Sequence, residues 1–413
     1  MFRLTAALGI AAFVVGCSGS PVTSPTPALT PIASTQPTVT APPNTFVAPR
    51  QTPSATEMAS LPAASGIPSL TVDIHCLDER WAKPTGPSAA TDGAEIVWPA
   101  ISGSDPQGQP YLATVVAFRP ASDPQPLVVY QAPEPDTMIW IVAVRDGHYA
   151  FVEMNDRVFG PGGWRIMLVP ARGANAVLID KSDGVDGPVP GIALSDHSVV
   201  WTAVHRKSNG LTYQLTQMGF GATDTHVIDG ADVNVRQFWF PSVDPVTGRL
   251  YYSTVEPSGP DFRFGLRSVD LNDPAGLPAL LADAGDATQP AAYGGVLTWR
   301  DVNDNVLNGS NTVVVANDQG GAQLPIALSR VTNLSIGSRY LTFNEGLGND
   351  LLLYDLRAHQ LVSVERHPAD LSTEFSEDWT LVGADLLVFR RTHEDKNADP
   401  VGPAEVCWAY LPQ

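Results

Sequence analysis

Basic residues are scarce in this sequence. Twenty-four Lys and Arg stand against 43 Asp and Glu, a net charge of −19 over 413 residues. Only four of the bases are lysines: Lys83, Lys181, Lys207 and Lys396. A chain so poor in cations has no broad basic face, which argues against nucleic acid and against an anionic lipid surface as electrostatic partners. Charge of either sign is thin at 16% of residues, whereas hydrophobic residues reach 44%, enough for a large core. Cysteine is rarer still, with only Cys17, Cys76 and Cys407. Three cysteines without a CxxC pair build no zinc-finger framework. GxSxG and HExxH are also missing. The eight histidines (His75, His148, His197, His205, His226, His359, His367 and His393) fall in no recurring nucleophile or metal spacing. No segment sustains apolar residues at i, i+3, i+4 and i+7, which argues against helical layers and α/β folds.

The apolar run from Leu4 to Val15 follows Arg3 and ends in "VVGC", Val14 to Cys17. It has the length of a signal-peptide core and is too short for a permanent span. Branched apolar residues, a small residue and then cysteine resemble the bacterial lipobox. That resemblance implies a signal peptide over residues 1–16, diacylglyceryl transfer to the Cys17 thiol, and cleavage that leaves Cys17 as the N-terminus. The protein is then expected to be exported and lipid-anchored to the outer face of a bacterial membrane or in the periplasm. Residues 17–68 follow as a tether. From residue 18 they hold eleven prolines, many Ser and Thr, and only Arg50 and Glu57 as charges. Such a composition buries too little apolar surface to offset its ordering entropy.

From residue 69 to 413 the pattern becomes short apolar strands between turns. Seven β-like runs end on an aromatic: Trp98, Phe151, Trp201, Tyr252, Trp299, Phe343 and Phe389. Their spacing is about 44 to 53 residues. A turn precedes each run: Asp92-Gly93, Asp146-Gly147, Asp196-His197, Thr247-Gly248, Gly294-Gly295, Gly337-Ser338 and Gly383-Ala384. Asp-Gly and Gly-Gly suit the φ > 0 turns of tight hairpins. A third strand follows each aromatic, and in most units a fourth. Four strands per unit and seven units predict an all-β, seven-bladed β-propeller, with the aromatics as core between blades. A six- or eight-bladed ring and a pair of β-sandwiches are the competing architectures.

The strand count closes the ring. The last unit has three strands, and "SLTVDIHC", Ser69 to Cys76, is left over at the start. Lending that strand to the last blade leaves no open seam and brings Cys76 beside Cys407. With Cys17 lipidated, an oxidising compartment predicts a Cys76–Cys407 disulfide. A metal site of His75, Cys76 and Cys407 is the alternative.

Candidate chemistry is sparse. "DVNDN" sets Asp301, Asn303 and Asn305 at i, i+2 and i+4, and "DKNAD" sets Asp395, Asn397 and Asp399 likewise. Calcium loops turn alternate oxygens inward with this spacing. Both lack the EF-hand glycine and final Glu, and an Asx-rich turn gives the same pattern. "DKSDGVDG" at 180–187 is a weaker candidate for Ca²⁺. "VHRK" at 204–207 and "HED" at 393–395 are the acid–base candidates. The strands "SVDL" (Ser268–Leu271) and "LYDL" (Leu353–Leu356) resemble the repeats of TolB-type periplasmic propellers. That resemblance implies a non-catalytic platform for an envelope protein partner, with no required cofactor. The alternative is an envelope enzyme or lectin-like module acting on a saccharide or peptide at the channel mouth. The two differ in that an enzyme needs titratable groups converging in a pocket.

Overall fold

The computed structural model describes residues 67–77 and 88–413 apart from connecting stretches, the longest being 105–109, 155–162, 302–310, 318–323, 329–333, 344–350, 365–372 and 394–404. The chain enters through two short strands, β1 (Ser69–Leu70) and β2 (His75–Cys76). Blade 1 holds β3 (Ala90–Thr91), β4 (Ile96–Ala100), a small hairpin β5 (Gly103–Ser104) and β6 (Pro110–Tyr111), then β7 (Thr114–Arg119) and β8 (Asp123–Gln131). Blade 2 is β9 (Met138–Arg145), β10 (His148–Met154), β11 (Trp164–Val169) and β12 (Val177–Lys181). Blade 3 is β13 (Ile192–Leu194), β14 (Ser198–Lys207), β15 (Gly210–Gly219) and β16 (His226–Asp232). Blade 4 is β17 (Gln237–Val243), β18 (Arg249–Ser258), β19 (Asp261–Asp270) and β20 (Ala279–Gly285). Blade 5 is β21 (Ala287–Tyr293), β22 (Val296–Asp301), β23 (Asn311–Asn317) and β24 (Leu324–Leu328). Blade 6 is β25 (Ser335–Ile336), β26 (Tyr340–Thr342), β27 (Leu351–Asp355) and β28 (Gln360–Val364). Blade 7 is β29 (Thr373–Gly383), β30 (Leu386–His393) and β31 (Glu405–Tyr410).

Each blade is an antiparallel meander in chain order. The first strands touch one another in the cycle β3, β9, β13, β17, β21, β25, β29 and back to β3, so they form the inner wall of a closed seven-membered ring. The expected seven-bladed propeller is therefore the observed fold, and the six-bladed, eight-bladed and sandwich alternatives are excluded.

Hydrophobic burial explains the ring. Seven buried clusters occupy the seven interfaces between neighbouring blades, including that between blades 7 and 1. The seven second-strand aromatics are all buried within them, Trp299 being the most exposed at 4%. A side chain of this size buries 150–250 Å² and dominates its interface. Fourth strands lie at the rim and are half-exposed, as in β12 and β16.

The N-terminal segment closes the ring differently from a single added strand. Its leading pair β1 runs parallel to β28 as a fifth strand of blade 6, through Ser69↔Ser363 and Leu70↔Val364. Only β2 completes blade 7, antiparallel to β31, with His75↔Trp408 and Cys76↔Cys407. Between them the alternating Leu70, Val72, Ile74 and Cys76 pack into the core joining blades 6 and 7. The predicted Cys76–Cys407 disulfide is present, across 331 residues of chain. It excludes the alternative metal site, because both sulfurs are covalently spent.

Candidate functional site

The first-to-second-strand hairpins of the blades all turn on one face of the ring and surround one mouth of the channel. Their tightness follows from the turn residues. Asp146 and Gly147 have φ of 46° and 74°, and Gly294 and Gly295 have 61° and 81°, as a two-residue turn matched to strand twist requires. Neighbouring turns are stitched by carboxylates. Asp92 accepts from Ala94 and Glu95 of its own turn, and from the Asp146 N–H of blade 2 at 2.9 Å. Asp244 is fully buried and accepts four backbone N–H groups: Val246 and Thr247 beside it, then Gly294 at 2.9 Å and Gly295 at 2.7 Å in blade 5. Hydrogen bonds to an ionised acceptor are stronger than neutral ones, so each such carboxylate pins two blades. At the seam, a Cβ on Gly383 would lie 2.7 Å from the Gly93 nitrogen, so the turns of blades 7 and 1 meet backbone to backbone.

Arg145 projects from the end of β9 into this mouth. Its Nε donates to Asp196 Oδ1 at 2.6 Å and its Nη2 to the Pro245 carbonyl at 2.7 Å, spanning blades 2, 3 and 4. Burial raises the Tyr293 phenol above its ordinary value; Asp385 and Asp244 add to the rise and Arg145 opposes it. Tyr293 therefore sits in the combined field of these three groups. Asp385 accepts from Ser338 Oγ and from Gln413 Nε2. A cavity of about 120 Å³ opens between blades 3 and 4, lined in part by Ser195, Asp196, His197, Asp244, Thr247 and Asn272. Asp92, Asp146, Asp196, Asp244 and Asp385 thus lie in the same set of hairpins as Arg145, Arg249 and Arg339, an excess of acidic over basic groups that favours a cationic group.

A second set of acidic groups serves the blade interfaces. Glu95 is 1% exposed, accepts from the Tyr149 hydroxyl at 2.8 Å and pairs with Arg119 at 3.1 Å. Glu153 accepts from Tyr130 at 3.0 Å and pairs with Arg165. Asp229 accepts from Tyr252 at 2.8 Å. Burial and the neighbouring carboxylate raise all three tyrosines far above their usual range. These acids tie neighbouring blades together, and the buried Glu95 and Glu153 are not available to a substrate. Nothing in their local sequence distinguishes them, because their tyrosines lie 23 to 54 residues away.

The candidates from sequence fare unevenly. Asp301 lies at the end of β22, 5% exposed, paired in register with Thr312 and with interactions of its own, so it is part of the blade and not an oxygen at a loop tip. Asn303, Asn305, Asp395, Asn397 and Asp399 lie outside the described residues. In the 180–187 stretch, Asp180 accepts from Trp201 Nε1 at 2.6 Å and meets His205 at 3.2 Å, Asp183 accepts from the Arg206 N–H, and Asp186 lies outside the described residues. His205 of "VHRK" is thereby tied into the interface of blades 2 and 3. For "HED", the His393 side chain, Glu394 and Asp395 lie outside the described residues. Sequence reasoning named a channel mouth but none of the residues found at this one, because no motif joins Arg145, Asp196, Tyr293 and Asp385.

No protein-family model and no curated protein sequence matches the chain. Solved structures do. The chain is similar to the β-propeller domain of the Trilobed protease from Pyrococcus furiosus, described as having an open velcro topology, with TM-score 0.53, 9% identity, and 81% of this chain and 93% of that one covered. It is similar to Pyrococcus horikoshii acylaminoacyl peptidase, with TM-score 0.50, 10% identity, and 79% and 50% coverage. A puromycin hydrolase matches at TM-score 0.50 and 15% identity, with 76% and 51% coverage. The chain spans about half the length of the latter two. At such identities the likeness establishes the fold class, a β-propeller. It also corrects the expectation of a non-catalytic scaffold. Rings of this kind occur within peptidases, so the platform role implied by the periplasmic resemblance loses its support. The alternative, an envelope enzyme or lectin-like module acting on a saccharide or peptide at the channel mouth, fits those neighbours better.

Proposed function

We propose that this chain is an exported, lipid-anchored propeller of peptidase type, which takes peptides at the acidic mouth of its channel and holds their cationic amino end there. The observation that carries the reading is a cavity lined by Asp196, His197 and Asp244, with Arg145 hydrogen-bonded to the Asp196 carboxylate and the Pro245 carbonyl in its wall. Titratable groups gathered in a concavity are what an enzyme site needs and a flat docking face does not. Carboxylates in excess favour an ammonium, and Arg145 supplies a donor for a peptide carbonyl or carboxylate. Export and anchoring through Cys17 rest on the lipobox resemblance and suit a substrate met outside the cytoplasm.

The test uses detergent-solubilised full-length protein and a set of short peptides with free or acetylated N-termini. Binding is read by fluorescence anisotropy and cleavage by mass spectrometry. Free-amine peptides are expected to bind more tightly, by about tenfold, the effect of losing one good charge contact. Asp196→Asn should reduce that preference. Equal, negligible binding of both peptide sets without cleavage refutes the reading. Anchoring is tested separately, since Cys17→Ala should move the protein from the membrane fraction to the soluble one.

A further inference from the structure

The last strand of each blade, in chain order, forms its outer edge, and these edges are not alike. In β8, β12, β16 and β20 one residue is left out of the pairing with the third strand: Val129, Ile179, Ile228 and Leu281. Such a bulge twists an edge and interrupts its row of N–H and C=O groups, which hinders pairing with another chain. β24 pairs without a bulge but holds Pro325, which has no N–H to offer. Among the described residues no strand lies beyond any of these five. β28 and β31 differ. Both pair regularly and hold no proline. Both are also covered by the N-terminal segment, β28 by β1 and β31 by β2. The open edges are thus blunted, and the two edges left unblunted are the two that are covered.

β28 is the barer of these two. Gln360–Val364 carries no charge, whereas β31 carries Glu405. The edge is able to take a strand because it does so: the Ser363 N–H points away from β27 and donates to the Pro68 carbonyl at 2.9 Å. Its cover is thin. β1 and β2 span two residues each, and Leu70, Val72 and Ile74 are only partly buried. The disulfide to Cys407 fastens this segment covalently. Blunted edges guard against pairing between copies of one protein. A rim blunted wherever it is open therefore identifies a second copy of this chain as the partner that β28 would take.

We infer that β28 is a concealed self-association edge: when the Cys76–Cys407 latch opens and residues 67–77 lift away, it pairs antiparallel with β28 of a second copy about a two-fold axis. Identical strands paired in this way are self-complementary, so the product is a closed dimer and not a fibre. The latch opens by reduction with a dithiol. One thiolate of the reductant attacks the sulfur of Cys76, which is partly buried where Cys407 is fully buried. The S–S bond breaks, and Cys407 leaves as a thiolate and takes up a proton. The second thiolate of the reductant attacks the mixed disulfide, frees Cys76 as a thiol and leaves the reductant oxidised to its own disulfide.

The experiment reads the mass of the protein component by light scattering, over a concentration series of detergent-solubilised full-length protein. Oxidised wild type should be monomeric. Wild type reduced with dithiothreitol should double in mass as concentration rises. So should a variant with Cys76→Ser, Cys407→Ser and Ile74→Asp, in which the segment is also driven from its core. Added salt should favour both dimers, because each chain carries a net charge of −19. Ser363→Pro removes an outward N–H and no bond to β27, so in either opened form it should restore the monomer. Three results overturn the inference: a dimer already present in oxidised wild type, monomers in both opened forms, or association that survives Ser363→Pro. Calorimetry accompanies each sample. If the triple variant does not melt cooperatively, reduced wild type with and without Ser363→Pro decides by the same readings.

Discussion

Removing the covalent latch is the sharpest perturbation of this ring. In the double variant Cys76→Ser, Cys407→Ser, the disulfide no longer closes a 331-residue loop. Loop-closure entropy for that length gives a loss of about 5–6 kcal/mol at 25 °C, an upper figure because unfolded-state structure reduces it. The noncovalent latch left behind is small. β2 has two residues, and beyond its ladder the Leu77 N–H donates to the Val406 carbonyl at 3.1 Å. Leu70, Val72 and Ile74 continue to pack between blades 6 and 7, and Leu77 between blades 7 and 1. Unfolding entropy near 2.1 cal/mol/K per residue over the propeller amounts to roughly 0.7 kcal/mol/K, so the melting temperature should fall by about 8 °C. Differential scanning calorimetry of wild type with and without dithiothreitol, beside the double variant, reads this directly. Hydrogen exchange should rise first in β2, β31 and β4, the elements at the seam. If variant and reduced protein melt within about 1 °C of oxidised wild type, the latch contributes nothing and the loop-closure reasoning fails.

Three further outcomes follow from the same geometry. Asp244→Ala leaves four backbone N–H groups of two blades without their acceptor and should cost at least about 3 kcal/mol in urea unfolding. Burial pushes the Asp355 carboxyl up, but its hydrogen bond from Arg339 and those from the Ala358 and Arg357 N–H groups outweigh this and hold it below its ordinary value. Its stabilisation is therefore full above the unfolded value, near pH 4, and is lost as pH falls through the lower folded value. Asp355→Asn should flatten the acid limb of a urea-midpoint profile below about pH 4 and lower the midpoint at pH 7. Gly383→Ala puts a methyl against the blade 1 backbone; overpacking of this kind should destabilise by roughly 1–3 kcal/mol, read by the same titration.

Much of the architecture was legible because each blade repeats the same physical solution. A buried aromatic in the second strand, preceded by a turn rich in Asp and Gly, recurs seven times, and a last unit one strand short marked Ser69 to Cys76 as the segment that closes the ring. Its division between two blades was not legible, since a two-residue parallel pairing has no period of its own. The scaffold role was carried by degenerate repeat resemblance and failed for that reason: strands such as "SVDL" report blade geometry and nothing about the channel.

What the sequence determined alone was what repeats or is counted: strand number per unit, unit number, and the pairing of Cys76 with Cys407. These depend on local burial and chain arithmetic, which are written along the chain. Only the tertiary structure decided which carboxylates are spent between blades and which open on the mouth. Asp180, Asp244 and Asp385 look alike in sequence. Their difference lies in partners many residues away, placed beside them when the ring closes.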